Sequence, residues 1–287
     1  KDINYQNTYA MKAAISWRPV ENLTITPSIY YQSIEAGGRN QYWEGYGDTK
    51  DGNYVTGHTN AEPWSDRFYM PALKISYDLG RVQLISNTSY FSRKQHQILD
   101  YTNYLSTLRS GSPFGTYTNK QATNAFADLT NQQRNFVQEV RLQSYNDDSL
   151  IDWTAGGYYS RTKQHLIYYS ASGLIPGVKS RGVDQYLGRY NLYEVIDADD
   201  RQFAGFANVD VKPIKGVKIT LGGRFTHNQF DYYDYRTGPV NSGVTTIVNP
   251  SQKENAFTPK LGVTWQVDRN NMVYASASKG FRTGGAQ

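Results

Sequence analysis

The chain has 287 residues, with 30 Lys+Arg against 25 Asp+Glu, 25 Tyr, 25 Gly and no Cys. The positive excess is small and forms no run, which argues against a polybasic tract for nucleic acid, and the lack of Cys excludes a disulfide framework and thiolate chemistry. Mean hydropathy is −0.66 and the longest apolar runs, 155–159 and 203–207, fall far short of the roughly 18 residues of a spanning helix, so a helical membrane protein is excluded too.

Read in chain order, two-residue alternation predicts ten strands in five hairpins. The first pair carries Tyr9, Met11, Ala13, Ile15, Trp17 and then Leu23, Ile25, Pro27, Ile29, Tyr31. The second carries Tyr69, Pro71, Leu73, Ile75, Tyr77 and Val82, Leu84, Ser86, Thr88, Tyr90. Phe136, Gln138, Val140, Leu142, Ser144 and Ile151, Trp153, Ala155, Gly157, Tyr159 make the third. The fourth is Phe203, Gly205, Ala207, Val209, Val211 with Val217, Ile219, Leu221, Gly223, Phe225. Phe257, Pro259, Leu261, Val263, Trp265 and Val273, Ala275, Ala277, Lys279, Phe281 close the series. Each row has an aromatic eight residues from its turn end, so the hairpin is an internal repeat.

These fifty positions include one charged residue, Lys279, whereas the forty between them hold nine. Hairpin arms are joined by four to seven residues of turn chemistry: 18–22, 78–81, 145–150, 212–216 and 266–272. The opposite ends are joined by far longer segments, 32–68, 91–135, 159–203 and 225–257, part of which continues the strands.

An eight-residue apolar stripe spans about 26 Å, or roughly 20 Å of depth at a ~40° tilt, close to the ~25 Å apolar band of an outer-membrane barrel. Aromatics at its ends suit the two bilayer interfaces, and the polar alternates suit a wet lumen. Backbone groups in hydrocarbon must all be paired, so such strands belong to a closed barrel. A soluble sandwich also alternates, but it calls for bulkier inner faces than these Ala-, Gly- and Pro-rich rows and leaves the one-sided loops unexplained. The expected fold is therefore an all-β, transmembrane, antiparallel up-and-down β-barrel with short periplasmic turns and long extracellular loops. The expected interface aromatics are Tyr9, Trp17, Tyr31, Tyr69, Tyr77, Tyr90, Tyr159, Phe225, Phe257, Trp265 and Phe281.

Residues 257–285, FTPKLGVTWQVDRNNMVYASASKGFRTGG, closely resemble the barrel hairpin of TonB-dependent outer-membrane receptors. The likeness lies in the Thr-Pro-Lys-Leu-Gly entry, the polar turn and the Tyr-Ala-Ser-x-Ser-Lys-Gly-Phe-Arg exit. Residues 217–228, VKITLGGRFTHN, are similar to the preceding strand of that family, and the two stretches cover about a fifth of the chain. The resemblance implies a barrel of ordinarily twenty-two strands, closed by a plug, that imports scarce nutrients with energy from the inner-membrane TonB complex. Residues 1–287 would then be one partial barrel domain of about ten strands. The chain opens at Lys1 without Met, as a processed chain or a piece of a longer one does, and neither a plug nor an energy-coupling box is recognisable.

No catalytic, metal-binding or cofactor-binding set emerges. His58, His96, His165 and His227 stand alone; the first three read as solvated loop or upper-strand residues, and His227 continues an apolar row. The stretch 173–180 lacks the Gly-Lys-Ser/Thr end of a phosphate loop, and the Ser-x-x-Lys matches at Ser160 and Ser276 lack their companion motifs. Asp48 and Asp51, and Asp197, Asp199 and Asp200 at an expected loop-to-strand junction, read as solvated acids rather than a calcium site. Loop aromatics are the candidate substrate contacts: Tyr42, Trp43, Tyr46 and Trp64 in the first long loop, and Tyr186, Arg189, Tyr190 and Tyr193 in the third. Aromatic faces beside cations grip planar or ring-bearing ligands, although Tyr also simply stiffens large loops.

The expected activity is therefore nutrient import across a bacterial outer membrane, by default of a ferric siderophore, with no enzymatic step. Its partners would be the lipid bilayer, a small-molecule ligand and, through the missing plug, the TonB complex, with no role for nucleic acid. The alternatives are a passive porin-like channel and, further off, a membrane-embedded hydrolase.

Overall fold

The computed structural model describes residues 4–43, 47–102, 125–144, 149–171, 190–238 and 244–282, with the side chains of Tyr190 and Asn191 left aside. Among the described residues, twelve strand segments form a single antiparallel sheet: β1 (Gln6–Ala14), β2 (Trp17–Val20), β3 (Leu23–Ala36), β4 (Trp64–Asp78), β5 (Val82–Asp100), β6 (Phe126–Ser144), β7 (Ile151–Ala171), β8 (Tyr190–Ile214), β9 (Val217–Thr237), β10 (Thr246–Val248), β11 (Ser251–Gln266) and β12 (Met272–Ser278). Neighbours in sequence are neighbours in the sheet, β1-β3-β4-β5-β6-β7-β8-β9-β11-β12, with β2 beside β3 and β10 beside β9. The two short pieces continue the arms of β1 and β11, so the sheet has ten strand positions, the number that the alternation predicts.

Register decides which residues share a face, since a slip of one residue would reverse every side chain. Ile29 stands opposite Pro71, Leu84 opposite Leu142, Ala155 opposite Ala207, Val209 opposite Leu221, and Leu221 opposite Leu261. Apart from Val217, which meets Ile214 across a register shift, every member of a predicted apolar row that is paired across the sheet thus faces a member of the neighbouring row or that row's continuation. The ten rows form one continuous face. Leu221 on it is 51% exposed and Phe257 58%. The residues that are buried are mostly small or polar, among them Ala127, Ala204, Thr226 and Asn228. The chain is built inside out, with its apolar surface directed at lipid instead of a core.

Three prolines lie on the lipid-facing rows, and each coincides with an interruption in the ladder, as the missing N–H requires. Pro27 lies opposite Ile15, where the arm breaks between β1 and β2, although the Ile15 N–H still donates to the Pro27 carbonyl at 3.1 Å. The β4–β5 pairing skips Met70 and Pro71 and resumes in the same register. β12 stops at Ser278, and the next bond runs from the Lys279 N–H to the Pro259 carbonyl at 3.1 Å. At the short-turn end, Gly80 and Gly216 adopt φ of 93° and 83°, a backbone region open to Gly and strained for residues with a Cβ.

The strands run well past the aromatics. β5 ends at Asp100, ten residues beyond Tyr90, and β7 ends at Ala171, twelve beyond Tyr159. Strand therefore occupies 91–100 and 126–135 of one expected loop, and 160–171 and 190–202 of the other. Asp197, Asp199 and Asp200 do not lie at a loop junction: they are mid-strand in β8, because alternation continues there with charge on both faces and so escapes an apolar-row search.

Candidate functional site

The face opposite the apolar rows carries charged and polar side chains along its whole length. Near the short turns, Lys212 reaches Asp152 at 2.6 Å and the Thr220 hydroxyl donates to Asp210 at 2.5 Å. Higher on the same face, the Arg224 guanidinium sits 4.9 Å above the Tyr158 ring and donates to Gln202 at 3.2 Å. Above the aromatic level, the Arg93 Nε donates to Asp66 at 2.8 Å, and Arg236 pairs with both Glu194 and Asp234. These fixed charges facing a wet interior are the arrangement of a barrel lumen. The Asp66–Arg93 and Glu194–Arg236–Asp234 groups fall in segments read from sequence as loop or loop edge. Alternation carried on past the aromatics was the signal that would have placed them.

The first long loop is anchored to the strand ends by a polar knot. The Asp100 carboxylate accepts the Thr59 N–H at 2.5 Å, the Asn60 N–H at 3.1 Å, the Asn60 side-chain amide at 3.1 Å and the Thr102 N–H at 2.9 Å. Burial pushes this carboxyl up, but the bonds from Thr102, Asn60 and Thr59 outweigh it and hold the group below its ordinary range. Buried Glu62 accepts from Arg39 at 2.7 Å and from the Asp100 N–H at 2.8 Å. His58 joins the same knot, 3.6 Å from Glu62 with its side chain 16% exposed. The expectation of a solvated His58 is thus corrected: loop closure leaves it half-buried. His96 and His165 stay half exposed on the strands, paired with Asp128 at 2.9 Å and Asp197 at 2.7 Å.

Those candidate ligand residues that lie among the described residues do not gather at one point. Tyr42 is exposed and meets Tyr54 edge-on at 5.4 Å between ring centroids. Trp43 packs inward within the same loop, edge-on to His58 at 5.8 Å, and a Cβ at Gly57 would strike its ring. Trp64 is a strand residue that opens β4 opposite Ala36 and Gln97. Tyr193 stands on the β8 face that carries the apolar rows, edge-on to Tyr235 at 6.2 Å. Tyr46, Tyr186 and Arg189 lie outside the described residues, and Tyr190 is the first residue of β8. Asp48 accepts the Lys50 N–H at 2.9 Å as a turn residue, and Asp199 is held by Arg161 and Arg201. Among the described residues no set of three or more His, Asp or Glu is grouped to hold a metal ion.

The comparisons with known proteins agree on one architecture. The model of the family "TonB dependent receptor-like, beta-barrel" matches residues 4–287. Among solved structures, the ferric yersiniabactin uptake receptor FyuA of Yersinia pestis is similar with a TM-score of 0.70 at 11% identity, covering 94% of this chain and 37% of that one. The ferric citrate transporter FecA in its unliganded form gives 0.63 at 12%, covering 97% and 36%. The ferric-catecholate import receptor Fiu of E. coli K12, in its closed form, gives 0.62 at 11%, covering 95% and 43%. The chain thus spans well under half the length of these structures, and identities this low speak to fold alone. With ten apolar rows on one face, a charged opposite face and the family model matched almost end to end, the chain belongs to the β-barrel family of TonB-dependent receptors, a family of bacterial outer-membrane transporters and receptors.

Proposed function

We propose that this chain is part of the wall of an outer-membrane receptor that binds a scarce nutrient and imports it by TonB-energised gating, with a ferric siderophore or similar chelate as the default ligand. The family match over residues 4–287 carries this reading. The open edges β1 and β12 support it, because unpaired backbone in hydrocarbon is costly and calls for further strands to close the wall. A plug filling the lumen against the inner charges belongs to the same reading, and ligand capture needs no bond chemistry. The exposed Tyr42–Tyr54 pair offers aromatic faces on the long-loop side, and Tyr42, Trp43, Tyr46, Trp64, Tyr186, Arg189, Tyr190 and Tyr193 are the residues proposed for ligand contact.

The test uses the full-length receptor in cells lacking their other iron receptors, scored for binding and growth-dependent uptake of a ferric siderophore panel. Uptake that disappears when TonB is deleted is the expected result. Uptake that survives the deletion would make the protein a passive channel. Binding of oligosaccharides with every ferric chelate failing would overturn the iron default, and turnover of an ester or peptide would overturn the non-enzymatic reading.

A further inference from the structure

The charge on the lumenal face changes sign at the level of the aromatics. Below it, the positions between the apolar rows hold six Lys and Arg against three Asp and Glu. Above it, among the described strand residues, Asp66, Glu194, Asp200, Asp234 and Glu254 face inward against two cations, Arg93 and Arg236. Both cations are held by carboxylates. The Arg93 Nε donates to Asp66 at 2.8 Å, and Arg236 bridges Glu194 and Asp234. Asp200 is paired with no cation among the described residues, and the Asn228 amide is its partner.

The hydrogen bonds point the same way. Four buried side-chain atoms on the described upper wall have no partner: the Oδ1 atoms of Asn135, Asp200, Asn228 and Asp234. All four are acceptors, and Asn228 and Asp234 are only 3% and 7% exposed. The buried donors without a partner, on Arg39, His58 and Arg141, lie in the first loop or below the aromatics. A chain of amides adds to this polarity. Gln164 donates to Asn131 at 3.3 Å, Asn131 to Gln95 at 3.2 Å, and Gln95 to Asp66 at 3.3 Å. Every donor is aimed toward Asp66, so the negative end of the chain lies at the Gln164 side-chain oxygen, with Asp200 on its diagonal across β7 and β8. Negative charge in a poorly solvated wall acts on the space in front of it. Aromatic rings line the same face: Tyr30 stacks on Phe68 at 5.4 Å, Phe68 meets Phe91 at 5.4 Å, and Phe230 stacks on Tyr232 at 6.2 Å. Their electron-rich faces, like the carboxylates, attract cations.

We propose that the upper lumen selects a ferric chelate carrying positive charge, a trihydroxamate with a free ammonium group, over anionic catecholate chelates. Three hydroxamates balance Fe(III), so the ammonium leaves the complex cationic, whereas three catecholates overbalance it and leave a trianion. Asp200 sets the preference. Its carboxylate is held by an amide instead of an arginine, at mid-wall between Thr162 and Phe230. This names the ligand class within the receptor reading above and rests on it.

The experiment is isothermal titration of the full-length receptor in neutral detergent with three probes: ferrioxamine B, its N-acetylated form, and ferric enterobactin as the tricatecholate. The first two share one iron centre and differ by the ammonium charge. The wild type is expected to bind the ammonium form about fivefold more tightly than the acetylated form, with the tricatecholate weakest, and raised salt shrinks the difference. Asp200→Asn brings the ratio down to about twofold or less, and Asp200→Glu keeps it. Asp231→Asn, which removes a carboxylate from the outer face of β9, leaves it unchanged. Equal binding of the two hydroxamates by the wild type, or tighter binding of the tricatecholate, overturns the charge selection and leaves the receptor reading standing. An unchanged ratio in a folded Asp200→Asn, with folding checked by resistance to SDS without heating, overturns the assignment to Asp200. The wild-type comparison stands whether or not that variant folds. Failure of every ferric probe to bind overturns the selection together with the reading beneath it.

Discussion

Tyr159 on β7 stands directly opposite Phe203 on β8, their ring centroids 4.7 Å apart. Phe136 extends the group to 6.1 Å from Tyr159, and Tyr69 and Tyr90 form a similar pair at 6.4 Å. Aromatics eight residues from the turns are thus brought side by side by the register, an arrangement that suits a bilayer interface. Below this level the outer face is almost uncharged, and above it Arg161, Asp199 and Arg201 appear on the same face.

The first prediction concerns that boundary. Leu73→Arg, Ala207→Arg and Leu221→Arg place a charge in lipid and cost about 2–4 kcal/mol each at mid-depth. Thr220→Arg points into the lumen beside Asp210 and costs little. Urea titration of the full-length receptor folded in bilayers reads the difference; equal tolerance on both faces would overturn the assignment of the faces.

Polar residues on the lipid face satisfy one another. The Thr88 hydroxyl donates to Gln138 at 2.6 Å, and the Gln138 amide donates to Ser86 at 2.9 Å. Thr88→Val alone is expected to cost about 1 kcal/mol and to cost close to nothing in a Gln138→Leu background. A double-mutant cycle in the same assay measures the coupling, and additive effects would show that the bond contributes nothing.

Two strand glycines should respond oppositely to alanine. A Cβ at Gly156 would lie 2.6 Å from the Val140 carbonyl oxygen and 2.7 Å from Phe206, so the strands must separate. Gly156→Ala is expected to destabilise by about 1–3 kcal/mol. Nothing lies within 4 Å of a Cβ at Gly205, and Gly205→Ala is expected to be neutral or to stabilise by up to about 1 kcal/mol through the unfolded chain. The order of the two midpoints in urea is the readout.

Loop anchoring at Asp100 depends on its charge. Its pKa is lowered in the folded protein, so the ionised form is favoured and the contribution is complete above the ordinary carboxylate range. It is lost as the pH falls below that range through the folded-state value. Asp100→Asn is expected to weaken loop docking by about 1–3 kcal/mol at neutral pH and to abolish the acid transition. Emission from Trp43, with Trp43→Phe as blank, follows the loop; an acid transition that survives in Asp100→Asn would locate its cause elsewhere.

What the amino-acid order determined by itself was everything that has a period. Alternation from Tyr9 to Phe281 contains the ten strand positions, the short turns, the apolar face and its aromatic edge, because a pleated strand must send successive side chains to opposite sides. Even the breaks at Pro27 and Pro259 follow from residue chemistry once the register is known. What only the tertiary structure decided are the relations without period. His58 and Asp100 come together because residues 58–62 fold against the end of β5, and no local rule links positions forty-two apart. The upper strands were hidden because charge on both faces erases the contrast that an apolar row needs.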